Sequence, residues 1–360
     1  MMSIRQPLVI EAVGSIEPEG RLVELSIEGE GATQLVYECA PPLVVPLVPK
    51  RSLRRLGRVQ RLLLAATGRC METASEAARE ESDTAVCVGT ALGELGQTTD
   101  FLENLFEKDG AEPKPSSFIN SVHNSLAAQI AIKFGLHGEN HTICQGGQSF
   151  AGALWQGSRL LETGRAAAVL VAAGDGLHPY LVQEGAWEDR WRRGAGALLP
   201  FAAESGTLPG EGAAALLLRA GEARPGQSRL MGMRLQADLK LEALDGTSEL
   251  AAVEAVLAEA GFGLKDMDLV MLGANGAAPL AGIYAALREA IEARRGEGAP
   301  GFASYKQRCG ECGTSPALGA VLAAQALGLP VPGRRSQAVE LVLSYELSPR
   351  GARMMTLLGR

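Results

Sequence analysis

The residues best placed to do chemistry gather at one strand-to-helix turn, Thr142-Ile143-Cys144-Gln145-Gly146-Gly147-Gln148. Phe150, Ala153, Leu154, Gly157 and Leu161 follow at helical spacing, so Gln148 to Thr163 reads as an amphipathic helix that starts there. A helix N-terminus favours a thiolate, which makes Cys144 a candidate nucleophile; the alternative is a small buried strand residue. Gln145 and Gln148 supply amides that cap the helix or line a pocket. Cys309 and Cys312 form a lone C-x-x-C with no second pair of ligands, so no metal site is expected. Lys306 has Glu311 and Glu346 as candidate partners for a buried ion pair. All four histidines (His123, His137, His141 and His178) precede residue 179, so the second half has no imidazole for acid–base work.

Composition bounds the classes these groups can serve. The 360 residues are 46% hydrophobic and 21% charged, a globular balance, and a net charge of −7 argues against nucleic acid as a partner. Against that background Lys50, Arg51, Arg54, Arg55, Arg58 and Arg61 form a basic helix face, either a solvated surface or one that steers an acidic partner. The N-terminal residues show no signal-peptide pattern, and the apolar run Ala166 to Gly174 is too short to cross a bilayer. Six cysteines spread over the chain read as reduced thiols, so a cytoplasmic protein is expected, without a membrane partner and without a cofactor.

The elements around the turn alternate strand and helix. Strands are expected at Leu8–Val13, Leu22–Ile27, Thr84–Val88, Thr142–Cys144, Ala166–Ala173 and Ala213–Leu218, with helices from about Arg51 to Glu80, Asp100 to Glu107 and Asn120 to Phe134. The second half repeats the theme with helices Leu250–Ala260, Leu280–Arg294 and Pro316–Leu327, a strand Asp268–Leu272, and a hairpin Ala338–Tyr345 with Arg353–Leu358. A Gly-rich turn feeding a small-residue helix occurs once in each half, before Gln148 and before Pro316. The expected architecture is α/β, two similar halves over residues 1–224 and 225–360, with a largely parallel sheet and helices on its faces.

Three motifs in order carry a resemblance. Gly135-Leu136-His137-Gly138-Glu139-Asn140-His141-Thr142-Ile143 resembles the lead-in to the nucleophile of β-ketoacyl-(acyl carrier protein) synthases. Pro209-Gly210-Glu211-Gly212-Ala213 is similar to their GEGA strand entry, and Lys306 with Gly310 to their lysine loop. The resemblance implies the thiolase-like α-β-α-β-α sandwich, with the strand Asn140 to Gln145 against its twin in a dimer. It also implies a cysteine at the helix start and two histidines from the second half. Gly147 falls at the nucleophile position, Asn275 at the first histidine and Glu311 at the second, while Tyr345 to Gly351 replaces a Gly-rich oxyanion loop. A glycine has nothing to acylate, and a carboxylate repels a developing oxyanion.

The resemblance therefore implies a degenerate, chain-length-factor-like subunit. It would pair with an active ketosynthase in fatty acid or polyketide-type synthesis, as homo- or heterodimer. Arg51, Arg54, Arg55 and Arg58 are then candidates to dock an acyl carrier protein. The alternative is a malonyl-thioester decarboxylase or acyltransferase with a non-standard site, using Cys144, Gln148, Asn275 or Lys306.

Overall fold

Apolar runs too short for helices become strands, and apolar residues at helical spacing cover them. A computed structural model describes residues 2–4, 6–26, 33–41, 43–107, 115–192, 198, 206–331 and 334–360. The first half runs β1 (Met2–Ile4), β2 (Leu8–Ile16), the hairpin β3 (Leu22–Ser26) and β4 (Thr33–Tyr37), α1 (Arg58–Thr73), α2 (Glu76–Arg79) and β5 (Ala85–Gly89). It continues through α3 (Leu95–Glu107), α4 (Pro115–Ser121), α5 (Ser125–Phe134), β6 (Asn140–Ile143), α6 (Ser149–Glu162), β7 (Ala168–Asp175), α7 (Pro179–Trp187) and β8 (Gly212–Arg219). The second half runs β9 (Arg229–Gln236), α8 (Gly246–Glu259), β10 (Leu269–Leu272), α9 (Ala278–Arg295), β11 (Gly301–Ser304), α10 (Lys306–Cys309) and α11 (Ser315–Ala326). Strands β12 (Pro330–Val331), β13 (Arg334–Ala338), β14 (Leu341–Ser348) and β15 (Ala352–Gly359) complete it.

Eleven strands form one hydrogen-bonded sheet in the order β11-β10-β14-β15-β9-β2-β8-β7-β5-β6, with β1 added on β9. Outward from β2, the pairings β2/β8 and β8/β7 are antiparallel, and β7/β5 and β5/β6 parallel. Outward from β9, the pairings β9/β15 and β15/β14 are antiparallel, and β14/β10 and β10/β11 parallel. The two halves thus repeat one topology, and they meet where β2 pairs with β9.

Helix α11 packs against β2, β7 and β8 of the first half and against β10, β14 and β15 of the second. Helix α6 packs on β5 and β7. Their central core joins Phe150 and Leu154 to Val171, Leu216, Leu318, Val321 and Val342. A second core lies under α1 and α5, a third under α8 and α9, which makes five alternating layers. Gly14 lets β2 lie directly on α1, since a Cβ there would stand 2.3 Å from Cys70 N. Among the described residues no helix is long and apolar enough to cross a membrane.

Several sequence expectations are corrected. The basic helix from Arg51 to Glu80 is three pieces: a 3-10 turn at Lys50–Leu53, then α1 and α2. The reason is Gly57, which starts α1 with extended backbone, and the buried Glu94, which accepts from Gln60 N at 2.6 Å. The Glu94 carboxylate lies where a Cβ on residue 57 would go. The expected helix from Asn120 to Phe134 is interrupted between α4 and α5. β3 pairs only with β4, off the main sheet, and Ile27 at its expected end lies outside the described residues. Residues 338–340, expected in the final hairpin, lie outside it: Ala338 ends β13, and β14 starts at Leu341. Strands β9 and β11 and helix α7 were not evident from the sequence.

Glu211, fully buried, ties these pieces together. It accepts from Cys39 N at 2.8 Å, Leu177 N at 3.1 Å and Arg58 Nε at 2.6 Å. Glu211→Ala should cost about 3 kcal/mol, because it strands Arg58 and two buried N–H groups. Urea unfolding should show the lower midpoint; an unchanged midpoint would show that water replaces the carboxylate at no cost.

Candidate functional site

The turn between β6 and α6 is built by backbone contacts. Gly89 at the end of β5 lets α6 approach, since a Cβ there would stand 2.6 Å from Ser149 O. The Ser149 hydroxyl accepts from Gln145 N at 2.8 Å and lies 2.8 Å from Thr90 O. These contacts lock residues 145–149 and set Gly147 at the surface of the cleft. A Cβ on Gly147 would meet nothing closer than Ser348 Oγ at 3.8 Å and Gly313 O at 3.9 Å. The position therefore has room for a side chain and faces the second half.

The second half also contributes a buried polar cluster. Lys306 is fully buried, and its Nζ donates to Glu311 Oε1 at 2.8 Å and Ser315 Oγ at 2.7 Å. The same Nζ lies 3.1 Å from Glu346 Oε1. Tyr305 donates its hydroxyl to the other oxygen of Glu346. Asn275 donates Nδ2 to Glu311 Oε2 at 2.7 Å and accepts from Ala277 N at 3.0 Å. The Glu346 carboxylate fits because residue 273 is glycine: a Cβ there would overlap it.

Charge follows from this geometry. Burial pushes the Glu346 carboxyl up to about 7; Lys306 opposes the shift and the Glu311 carboxylate adds to it. Burial works against the Lys306 charge, but Glu311 and Glu346 outweigh it and hold the ammonium above its usual range. One ammonium between two carboxylates thus leaves Glu346 sharing a proton near neutral pH.

The other candidates lie elsewhere or are engaged. Cys144 is exposed, and its thiol, which donates to Ala91 O at 3.3 Å, is pushed up by burial and then by Asp175. That is the opposite of activation. Gln148 occupies the N-cap position of α6 without a side-chain capping bond, and the Gln145 side chain lies over Gly152. Cys309 and Cys312 are buried free thiols, both pushed up by burial, and no group of ligands among the described residues could hold a metal. Arg58, read from sequence as a docking cation, is bound to Glu211 and to Cys39 O. Arg51, Arg54 and Arg55 are exposed and make no ion pair among the described residues.

The profile of the beta-ketoacyl synthase N-terminal domain matches residues 43–223. The chain belongs to the β-ketoacyl synthase family. Solved structures under 25% identical share its fold over nearly the whole length. The ketosynthase ApeO in complex with its chain length factor ApeC, from Xenorhabdus doucetiae, matches at TM-score 0.76 and 20% identity, covering 98% of each chain. A beta-ketoacyl synthase from Burkholderia phymatum STM815 matches at 0.76 and 15%, covering 99% of this chain and 100% of that one. AntDE:AntF, a type II PKS acyl-carrier protein in complex with its ketosynthase bound to the hexaketide, matches at 0.78 and 16%, covering 99% and 100%. A search of curated proteins gives no match.

In this member of the family, Asn275 and Glu311 are joined to Lys306 and Glu346 in one cluster, while Gly147 faces Ser348 and Gly313. Tyr305 and Ser315 belong to the same network and were missed from sequence. Tyr305 directly precedes Lys306, the one signal that was available. The segment Tyr345 to Ser348 continues strand β14 paired with β15, where an irregular oxyanion loop was the family expectation.

The raised Glu346 carboxyl has a sign. Unfolded, it titrates near 4.5, and folded near 7, so between those values the folded state holds more protons. Stability therefore falls as pH rises through that window. Buried Glu94, also raised to about 7, acts in the same direction. Glu346→Gln should remove part of the fall in urea midpoint between pH 5 and pH 8 and leave the part due to Glu94. A pH dependence identical to the parent would show that Glu346 stays ionised throughout.

Proposed function

We propose that this chain is a non-catalytic ketosynthase-like subunit that pairs with an active β-ketoacyl synthase and accepts the acyl carrier protein beside it. The observation that carries this reading is the empty position at Gly147. A side chain would have room there and none is present, and Lys306, Glu311 and Glu346 of the second half are bound to one another. Asn275 spends one amide N–H on Glu311 and accepts from Ala277 N, which fixes its orientation within the cluster. A malonyl carboxylate would face Glu311 and Glu346, and that repulsion counts against the decarboxylase alternative.

Two surfaces support a partner. Strand β6 is the sheet's edge, and its register with β5 turns the backbone groups of Asn140 and Thr142 outward, free to pair. Beside it, α3 buries only Asn104 and α4 only Ser117 and Asn120, while Phe106 is 76% and Ile119 62% exposed. Helices that bury their polar side and present their apolar side are ordered for a second chain. Solved relatives named as a ketosynthase with its chain length factor make an active synthase a fitting occupant. Arg51, Arg54 and Arg55 would meet the acidic carrier protein.

The test is co-purification with a cysteine-bearing ketosynthase. The chain should form a stable heterodimer with it. Thr142→Pro, which removes an outward N–H from the edge strand, should leave both subunits apart in size-exclusion chromatography. The chain alone should release no CO₂ from malonyl-acyl carrier protein; release abolished by Asn275→Ala or Gln148→Ala would sink the proposal.

A further inference from the structure

We infer that the segment Leu43–Pro49 is an apolar docking tip for an acidic acyl carrier protein, working with the exposed cations that follow it. This inference rests on the carrier reading above and adds the residues that would set affinity. Val45 and Val48 are buried in the core beneath α1, and Pro46 lies on that helix, since a Cβ on Gly68 would stand 2.6 Å from Pro46 O. Val44 and Leu47 alternate with them and point away, 66% and 55% exposed.

Leu47 is the telling residue. It follows a proline in a turn and has φ of 64°, the backbone region where such turns ordinarily take glycine. A leucine there is strained and leaves more than half of its surface exposed. Strain kept at an exposed apolar side chain points to a contact made with another molecule. Three residues of chain, at most about 11 Å, separate Leu47 from Lys50. Lys50, Arg51, Arg54 and Arg55 are exposed and unpaired among the described residues, on a chain whose net charge is −7.

A rigid pair of aliphatic side chains beside a basic stretch complements a surface with an apolar centre and an acidic rim. Prolines on both sides of Leu47 hold the tip in shape before binding, which lowers the entropic cost of docking. Two aliphatic residues without an aromatic are the size of a protein contact. A bilayer anchor calls for larger apolar bulk, and anionic lipid would repel the rest of this acidic chain.

The experiment measures Kd of the full chain for a free-standing phosphopantetheinylated acyl carrier protein, at several salt concentrations. Leu47→Gly and Val44→Ser should each weaken Kd about tenfold with unchanged salt dependence. Leu47→Gly should fold at least as stably as the parent, which separates docking from packing. The triple variant R51E/R54E/R55E should weaken binding and flatten its salt dependence. If the carrier binds and only the arginine variant loses it, the apolar tip is wrong and the carrier reading stands. No binding of the carrier by the parent chain overturns both, whether or not phosphatidylcholine/phosphatidylglycerol vesicles bind instead.

Discussion

The structure turns on one ammonium group placed between two carboxylates where the halves of the molecule face each other. At an effective dielectric of about 20, opposite charges 4 Å apart attract by about 4 kcal/mol, and burying three charges costs a comparable amount. The Lys306 cluster therefore contributes little net stability, and its effect is geometric. It fixes Glu311, Asn275 and Glu346 in one arrangement and leaves a carboxyl that holds its proton to near neutral pH. A site built to polarise a thioester needs donors aimed into open space. Here the Lys306 and Tyr305 donors are aimed at the carboxylates of Glu311 and Glu346.

The outer surface has the complementary character. Where the Lys306 cluster turns polar groups inward, α3 and α4 leave Phe106 and Ile119 exposed. Beneath those helices the contacts are amides and hydroxyls: Gln60 donates to Asn120 Oδ1 at 3.2 Å and to Ser125 Oγ at 3.2 Å.

Much of this was legible in the sequence, for identifiable reasons. The buried strands at Ala168–Asp175 and Gly212–Arg219 are continuous apolar runs, and the duplicated turn-and-helix pattern gave the two halves. Asn275 and Glu311, placed by motif spacing, are hydrogen-bonded to each other, and Gly147 faces Ser348 and Gly313. What failed was local. A helix read through Gly57 because the residue that stops it, Glu94, is 37 positions away in the chain and acts only once folded. Arg58 read as a free cation because its partner Glu211 lies on a different element. Ser315 carries no spacing signal of its own, since only the third dimension brings it to Lys306, and Tyr305 is marked only by its place next to Lys306 in the chain. The mixed faces of α3 and α4 gave no clean periodicity to read.

The open space at Gly147 makes this turn a place where a thiol can be installed by one codon change without crowding. Its nearest neighbours across the fold would be Ser348 Oγ and Gly313 O, at 3.8 and 3.9 Å from the new Cβ. Standing just before the first turn of α6, that thiol would report in its rate of alkylation how strongly the helix terminus favours a thiolate.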